Sequence, residues 1–112
     1  MLMLTKPIRT QLLANGLASQ RGQIDPVPVV KFFYPAGAGT WLFTELDADG
    51  DTLFGLCDPG QGTPELGSAS LSELLAFRGR FGLGIERDRH FTGTHPLSVY
   101  ASEAATLGRI RA

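Results

Sequence analysis

Three aspartates alternate near the middle of the sequence at a spacing that could bind a hard cation. Asp47, Asp49 and Asp51 match positions one, three and five of a calcium-binding loop, in which alternate carboxylates surround the ion. The pattern then departs from that motif, because position six is Thr52 rather than glycine and position twelve is Asp58 rather than glutamate. The segment therefore favours a solvated hairpin turn over a calcium site, and we predict no metal.

Two histidines and one cysteine are the other side chains that commonly bind metals or act as nucleophiles. His90 and His95 lie in a segment without a clear secondary-structure signal, and their spacing is not a recognised ligand pattern. Cys57 lies in an apolar, strand-like run, where a thiol is usually unreactive core material. We therefore predict neither a catalytic residue nor a cofactor.

The stretch Thr40–Leu46 has the composition of a strand and places a carboxylate beside two large aromatic rings. Strict alternation puts Trp41, Phe43 and Glu45 on one face of that strand. If this face is the core, Glu45 needs a polar partner, unless the strand end leaves it in contact with water. If the face is exposed, the two rings form an apolar patch of the kind that marks binding sites.

A second candidate is the run Glu86-Arg87-Asp88-Arg89, in which acidic and basic side chains alternate. These residues could form salt bridges with one another and so hold an irregular segment in place. Alternatively, the arginines could contact phosphates while neighbouring rings stack on bases. The side chains that would join them are Arg78, Arg80, Phe77, Phe81 and Phe91. From 78 to 91 the net charge is only +2, which is small for a nucleic-acid site.

The charges are segregated along the chain, although they nearly cancel. The 112 residues carry ten basic and eleven acidic side chains, a formal charge of −1. Between Lys31 and Arg78 there are seven acidic side chains and no basic one, whereas each flanking segment carries +3. The near-neutral total argues against a strong polyanion binder and against an acidic mimic of DNA. An acidic and a basic zone are expected, which could simply neutralise one another within the fold.

Length and composition predict one domain over 1–112 with a self-sufficient core. A chain in which 43% of residues are hydrophobic can bury enough surface at this size without metals or disulfides. The lone cysteine fits a reducing cytoplasm. The apolar start Met1–Leu4 is too short for a signal peptide. No apolar run approaches the ~20 residues that cross a bilayer, so no membrane partner is expected.

Helix and strand signals follow one another in an order typical of an α+β protein. Thr5 and Pro7 predict a helix start, and Asn15-Gly16 its end. Ser70 and Glu73 form a capping box that begins a second helix. The strand-like runs are 29–34, 40–46 and 52–57, and a last helix is expected over 96–107. We predict an α+β fold: an antiparallel three- to four-stranded meander with helices packed on one face.

A set of short motifs is specific when its members are taken together. They are Val30-Lys31-Phe32-Phe33, Thr40-Trp41 with Thr44-Glu45, Leu53-Phe54-Gly55-Leu56, Glu65-Leu66-Gly67, Ser70-Leu71-Ser72-Glu73-Leu74, and Gly82-Leu83 with Ile85-Glu86-Arg87-Asp88 and Phe91. Over roughly Leu4 to Phe91, the chain resembles the domain-of-unknown-function 2958 family of small proteins. Because members tend to belong to plasmids and integrated mobile elements, the resemblance implies a bacterial cytoplasmic accessory protein. It implies no activity, cofactor or catalytic residue. Many members have a bulky aromatic residue where this chain has Ser68.

Taken together, these observations predict a non-enzymatic protein-binding or adaptor domain with an unknown macromolecular partner. The candidate binding residues are Trp41, Phe43, Glu45, Glu86, Arg87, Asp88 and Arg89. One alternative is a nucleic-acid-associated accessory protein of a plasmid or integrated element. The other is an enzyme whose site converges on Glu45, Glu86 and Asp88, which requires a concave, carboxylate-lined pocket. A protein partner is favoured over nucleic acid because the arginine-rich segment has a small net charge.

Overall fold

The computed structural model describes residues 3–112, which form three α-helices and five β-strands. The helices are α1, Lys6–Ser19; α2, Leu71–Ala76; and α3, Leu97–Leu107. The strands are β1, Val30–Phe33; β2, Thr40–Leu46; β3, Thr52–Asp58; β4, Glu65–Ser70; and β5, Glu86–Arg87. A 3-10 turn spans Arg80–Gly82. Met1 and Leu2, which begin the apolar start considered above, lie outside the described residues.

All five strands form one antiparallel sheet in the order β4-β3-β2-β1-β5. The α+β class and the antiparallel meander are thus confirmed, and the sheet is slightly larger than expected. Strand β4 extends the meander at one edge. At the other edge the chain returns beside β1, where Arg87 lies opposite Phe32. This return brings the charged run from Glu86 onward next to the first strand.

One face of the sheet, here called the α1 face, is covered by α1 and α2. Its core contains Leu12 of α1, Leu71 of α2 and the sheet residues Phe32, Phe43 and Leu53. The rings of Phe32 and Phe43 meet edge to face, with centroids 5.6 Å apart. Burial of these apolar side chains is the main favourable contribution to folding.

The opposite face, here called the α3 face, is covered by the last helix. Leu42 and Leu56 of the sheet pack there against Leu97, Tyr100 and Ala104 of α3. The helices are therefore divided between two faces, which differs from the expected arrangement on one face. The physical reason is that β2 carries large apolar side chains on both sides, and a sheet with two apolar faces must be covered on both.

Helix α1 continues beyond the predicted stop at Asn15-Gly16. The Asn15 Nδ2 group donates a hydrogen bond of 2.9 Å to the carbonyl of Thr44 in β2. A Cβ on Gly16 would overlap the carbonyl oxygen of Leu46, so glycine permits a close approach of the helix to the sheet. Both residues act in packing rather than in ending the helix.

The connector between α1 and β1 holds the start of α3. The N–H of Leu97 donates to the Pro26 carbonyl at 2.9 Å. The N–H of Ser98 donates to the Asp25 carboxylate at 2.9 Å, and the Ser98 hydroxyl donates to the same carboxylate. These bonds attach the start of α3 to the connector. Among residues 3–112, no helix is both long enough and apolar enough to traverse a bilayer.

Candidate functional site

Trp41 and Phe43 lie side by side on the α1 face of β2. Phe43 is fully buried, and only 7% of the Trp41 surface is exposed. They therefore belong to the core rather than to an open aromatic patch. Trp41 nevertheless forms part of the wall of an apolar recess that opens at the surface.

A β-bulge at Thr44 separates Glu45 from these two rings. Phe43 lies opposite Gly55 and Glu45 lies opposite Phe54, so Thr44 is an additional residue in β2. Because Phe54 packs with the α3-face core, Glu45 shares the α3 face. The strict alternation expected from the sequence fails at this point, and the structure does not bring Glu45 together with Trp41 and Phe43.

The charged run beside β1 stays together in space. Glu86, Arg87, Asp88 and Arg89 line a depression of about 280 Å³ with His90. The N–H of Asp88 donates to the Lys31 carbonyl at 2.9 Å, and its carboxylate lies 3.6 Å from the Lys31 Nζ atom. The run is thus fixed to β1 by backbone pairing and by an ion pair.

The carboxylates considered for catalysis are divided between different parts of the sheet. Glu45 is on β2 opposite Phe54 of β3, whereas Glu86 and Asp88 are at the β5 edge. With β1 between β2 and β5, they are separated by about two strand spacings of roughly 4.8 Å each as well as by their offset along the strands. No group of three metal-ligating side chains occurs within residues 3–112.

A cleft of about 550 Å³ lies on the α3 face. Asp88, His95, Tyr100 and Glu103 are among its lining residues. Several of its polar groups already have partners: the Thr94 hydroxyl lies 2.8 Å from His95 Nδ1 and 3.1 Å from the Tyr100 hydroxyl. The Glu103 carboxylate lies 3.4 Å from an Arg111 guanidinium nitrogen. The cleft is therefore lined by groups that satisfy one another.

A smaller and more apolar cavity, here called the aromatic recess, lies beside α2 on the α1 face. It has a volume of about 260 Å³. Its principal lining residues are Tyr34, Trp41, Leu74, Phe77 and Ile85, with the exposed Glu73. Tyr34 and Phe77 meet edge to face at 5.4 Å between centroids. Apolar walls with a few polar groups are typical of cavities that bind an apolar group.

The segment 79–83, here called the Phe81 loop, is attached to the wall of this recess. The Arg80 N–H donates to the Tyr34 hydroxyl at 2.8 Å. The loop closes on itself through the Gly79 N–H, which donates to the Leu83 carbonyl at 2.9 Å. Phe81 has a left-handed backbone (φ 61°) and 87% of its surface is exposed. A large exposed ring in a strained conformation is a combination often found at functional sites.

The exposed apolar surface extends along the segment that carries the Phe81 loop. Leu75, Phe77, Phe81 and Leu83 are all exposed within nine residues of sequence. Arg78 does not project freely from this segment, since its Nη1 atom donates to the carbonyls of Leu75 and Phe77 at 2.9 and 2.6 Å. The result is an apolar surface beside the recess.

Two aspartates of the calcium-like pattern, Asp49 and Asp51, already accept hydrogen bonds from nearby groups. The Asp49 carboxylate accepts hydrogen bonds from the N–H groups of Thr52 and Asp51 and from the Thr52 hydroxyl, which lower its pKa. The Asp51 carboxylate accepts from the Ser70 hydroxyl and the Ser72 N–H, both at 2.7 Å, and its pKa is lowered by these bonds. These contacts fit the predicted solvated hairpin turn.

Cys57 is half-buried in β3. Burial disfavours the thiolate and raises the pKa of Cys57 to about 11. Its Sγ atom lies 3.8 Å from the Gly67 carbonyl oxygen of the neighbouring strand. This environment is that of an unreactive structural thiol.

Comparison with known proteins places the chain in a family. The sequence model of a family described as "Protein of unknown function (DUF2958)" matches residues 3–111. The chain belongs to the DUF2958 family. A search of curated proteins and a search of solved structures each found no match. The DUF2958 match spans both faces of the sheet, the recess and α3.

The recess of this DUF2958 chain joins residues that sequence reasoning had not grouped. Local sequence does not mark Tyr34 and Ile85 as site residues, and it indicates Phe77 and Phe81 only through the nucleic-acid alternative. The available signal was the spacing of large apolar side chains among Gly79, Gly82 and Gly84, since apolar residues in a glycine-rich segment have little local core to enter. Their proximity to Trp41 depends on the tertiary fold.

Proposed function

We propose that this DUF2958 chain is a non-enzymatic protein-binding or adaptor module whose aromatic recess receives an apolar side chain of a protein partner. The observation that carries the proposal is the recess itself, with the exposed Phe81 in a loop that is bonded to the recess wall through Tyr34. Interfaces commonly centre on an aromatic or aliphatic side chain inserted into a pocket. The Phe81 ring would cover part of the partner beside this inserted side chain.

The chemistry of the recess supports a binding role. Leu74 and Ile85 contribute aliphatic walls and Tyr34, Trp41 and Phe77 contribute aromatic ones. The carboxyl groups with a lowered pKa have structural roles, because Asp25 and Asp51 bond the starts of helices and Asp49 bonds its own turn. The thiol of Cys57, whose pKa is raised, is half-buried in β3. A non-enzymatic function is therefore the interpretation that agrees best with these groups.

The sole tryptophan of the chain provides a direct test. Peptides are selected from a random display library against the wild-type protein and titrated while Trp41 fluorescence is recorded. We expect the selected peptides to share a large apolar residue and to shift the emission of Trp41, because this indole lines the recess. We expect Phe77→Ala to weaken binding by about tenfold or more, equivalent to about 1.4 kcal/mol.

Leu107→Ala is the matched control, because Leu107 is an exposed apolar residue at the end of α3. It should bind the selected peptides as the wild type does. Circular dichroism confirms that both variants are folded. Equal binding by Phe77→Ala and wild type, or binding without any change in Trp41 emission, contradicts the proposal.

Nucleic-acid binding stays the alternative prediction. Arg78 donates to two carbonyls and Arg87 is half-buried in β5, so the contacts favour a protein partner. A gel shift at low salt measures the alternative directly. DNA binding that is lost in an Arg80→Ala/Arg89→Ala variant but kept in Phe77→Ala would replace the present proposal.

The proposal also includes the cellular compartment of the protein and its bacterial accessory role. We propose a cytoplasmic location, which the half-buried free thiol at Cys57 supports because such thiols are typical of reducing compartments. We retain the bacterial accessory role implied by the resemblance. Fractionation of cells that express the tagged protein tests the location.

A further inference from the structure

Strand β4 leaves one edge of the sheet open. The strand order places it at the end of the sheet, paired to β3 alone among the described strands. Every second residue of an edge strand directs its N–H and C=O groups away from the sheet. No turn or loop backbone bond found in residues 3–112 uses a backbone group of 65–69. The outward-facing backbone groups of 65–69 are therefore available for pairing.

Apart from the charge of Glu65 at its start, the β4 edge lacks the features that usually prevent strand addition. Its sequence Glu65–Ser70 contains no lysine, arginine or proline, and its register with β3 is regular, from Cys57 opposite Glu65 to Thr52 opposite Ser70. Natural edge strands are commonly protected by such charges, prolines or bulges. The other edge, β5, contains only two residues and is too short to direct the addition of a strand.

The side chains of β4 determine which strand would fit. Gly67 and Ala69 lie on the α1 face and Leu66 and Ser68 on the α3 face, as their pairing with β3 shows. A Cβ on Gly67 would meet nothing within 4 Å, so a large ring opposite Gly67 has room. Leu66 is 51% exposed, and an apolar residue opposite it would cover this side chain.

The charge near the end of β4 selects the partner. The turn before β3 carries Asp47, Asp49 and Asp51, and Glu73 lies exposed in the first turn of α2. The Arg9 guanidinium carries the opposite charge to these four carboxylates, and it approaches the same turn at Gly50. This end of the edge therefore favours a cationic partner. It disfavours a second copy of the chain, which would add carboxylates.

We propose that β4 binds an extended peptide segment of another protein as an additional antiparallel strand, with basic residues at its N-terminal end. In an antiparallel pair that end lies beside Ser70 and the four carboxylates. Main-chain hydrogen bonds supply affinity in this mode of recognition, and alternate side chains supply specificity. Residues 65–70 of β4 do not line the aromatic recess, although Glu73 borders both surfaces, so the proposal does not depend on the proposed function.

The test uses the labelled peptide acetyl-Lys-Lys-Thr-Val-Thr-Phe-Val-Thr-amide, whose phenylalanine falls opposite Gly67. Two further peptides have the same sequence and carry N-methyl groups on every second backbone amide. The first peptide is methylated on one alternating set of amides, and the second peptide on the other set. We expect methylation of one set to weaken binding at least tenfold and methylation of the other set to have little effect, because only alternate amides face β4. Replacing both lysines by glutamates should weaken binding and reduce its salt dependence.

Two proline variants test the same edge from the protein side. The N–H groups of Gly67 and Ser68 point in opposite directions, since they are neighbours in one strand. We expect one of Gly67→Pro and Ser68→Pro to remain folded by circular dichroism and to lose the peptide, because it removes an outward donor. The other variant removes a bond to β3 and should be less stable.

Equal binding of the two methylated peptides overturns the proposal, and this result does not depend on the folding of any variant. Protection of β4 amides that increases with protein concentration in the absence of peptide also overturns it, in favour of self-pairing. Phe77→Ala should leave binding of the lysine peptide unchanged. This result separates the β4 edge from the aromatic recess.

Discussion

At the scale of single residues, two aspartates connect distant parts of the chain to the starts of helices. Asp51, at the end of the β2–β3 turn, bonds the first turn of α2, and its carbonyl accepts from the Leu71 N–H at 2.8 Å. Asp25, in the connector, bonds Ser98 of α3. Carboxylates are favourable at helix N-termini because the first N–H groups have no partner within the helix. Each aspartate therefore fixes a helix and a loop at once.

The Asp51 contacts predict a specific loss of stability in acid. Hydrogen bonds from Ser70 and Ser72 lower the pKa of Asp51 below its usual value of 3.8. The stabilising effect is therefore fully present above that value and is lost as the pH falls through the lower, folded-state pKa. We expect Asp51→Asn to lower the melting temperature at neutral pH and to lose less stability in acid than the wild type.

Asp47→Asn is the control for this experiment, since Asp47 is exposed in the same turn. Thermal unfolding followed by circular dichroism from neutral pH to about pH 2 gives the comparison. A difference between wild type and Asp51→Asn that stays constant throughout this range contradicts the assignment.

A second residue-scale prediction concerns Cys57. With its pKa raised from 9.0 to about 11, its thiolate population at pH 8 is about one hundredth of that of an ordinary thiol. We expect iodoacetamide to alkylate the native protein about a hundredfold more slowly than the urea-unfolded protein, as measured by mass spectrometry. Equal rates in the two states would show that the thiol is open to solvent.

At the scale of elements, the bulge in β2 determines which side chains face each layer. Nothing in the run Thr40–Leu46 distinguishes Thr44 as an additional residue, because threonine also fits a regular strand. The neighbouring strand approaches β2 closely beside the bulge, since a Cβ on Gly55 would overlap the Leu42 carbonyl oxygen. The first and last residues of β2 could thus be predicted from the sequence. The side of the sheet on which its side chains lie after Phe43 could not.

The close approach at Gly55 predicts a large effect of one methyl group. We expect Gly55→Ala to reduce the free energy of unfolding by about 3 kcal/mol, because the new Cβ must displace backbone in the middle of the sheet. Gly67→Ala adds the same group on adjacent β4, where nothing lies within 4 Å, and should change stability by less than about 0.5 kcal/mol. Urea denaturation of both variants measures the difference, and similar effects would contradict it.

At the scale of the whole molecule, two cores of unequal size are separated by one sheet. Within residues 3–112, the α1-face cluster has eight buried residues and the α3-face cluster has five. The α3 helix is also attached through the connector at Pro26 and Asp25. Regions with fewer buried contacts open at lower free energy, so the α3 layer should open before the rest of the fold.

Native-state hydrogen exchange tests this order of opening. We expect amides of α3 to exchange at lower free energy than those of β2. Leu97→Ala should cost about 3 kcal/mol and act mainly on the exchange of α3. Leu12→Ala, in the other core, should instead accelerate exchange throughout the protein. If Leu97→Ala reduces protection equally in α1 and α3, the two layers form one cooperative unit.

The contrast between local and distant signals explains what could be predicted. Caps and strand runs depend on neighbouring residues, so the helix start at Thr5, the second helix start at Ser70 and the strand β2 agree with the structure. The pairing of the short strand β5 with β1 and the second covered face depend on residues far apart in sequence. For the same reason, the recess between Tyr34 and Phe77 could not be inferred from local pattern.

The left-handed backbone of Phe81 has an evolutionary consequence. Glycine and asparagine adopt this conformation with less strain than phenylalanine. A library at position 81 selected only for thermal stability should therefore enrich glycine or asparagine. If the exposed ring serves binding, selection for the partner should restore an aromatic residue. Opposite outcomes of the two selections would show that this position has exchanged stability for recognition.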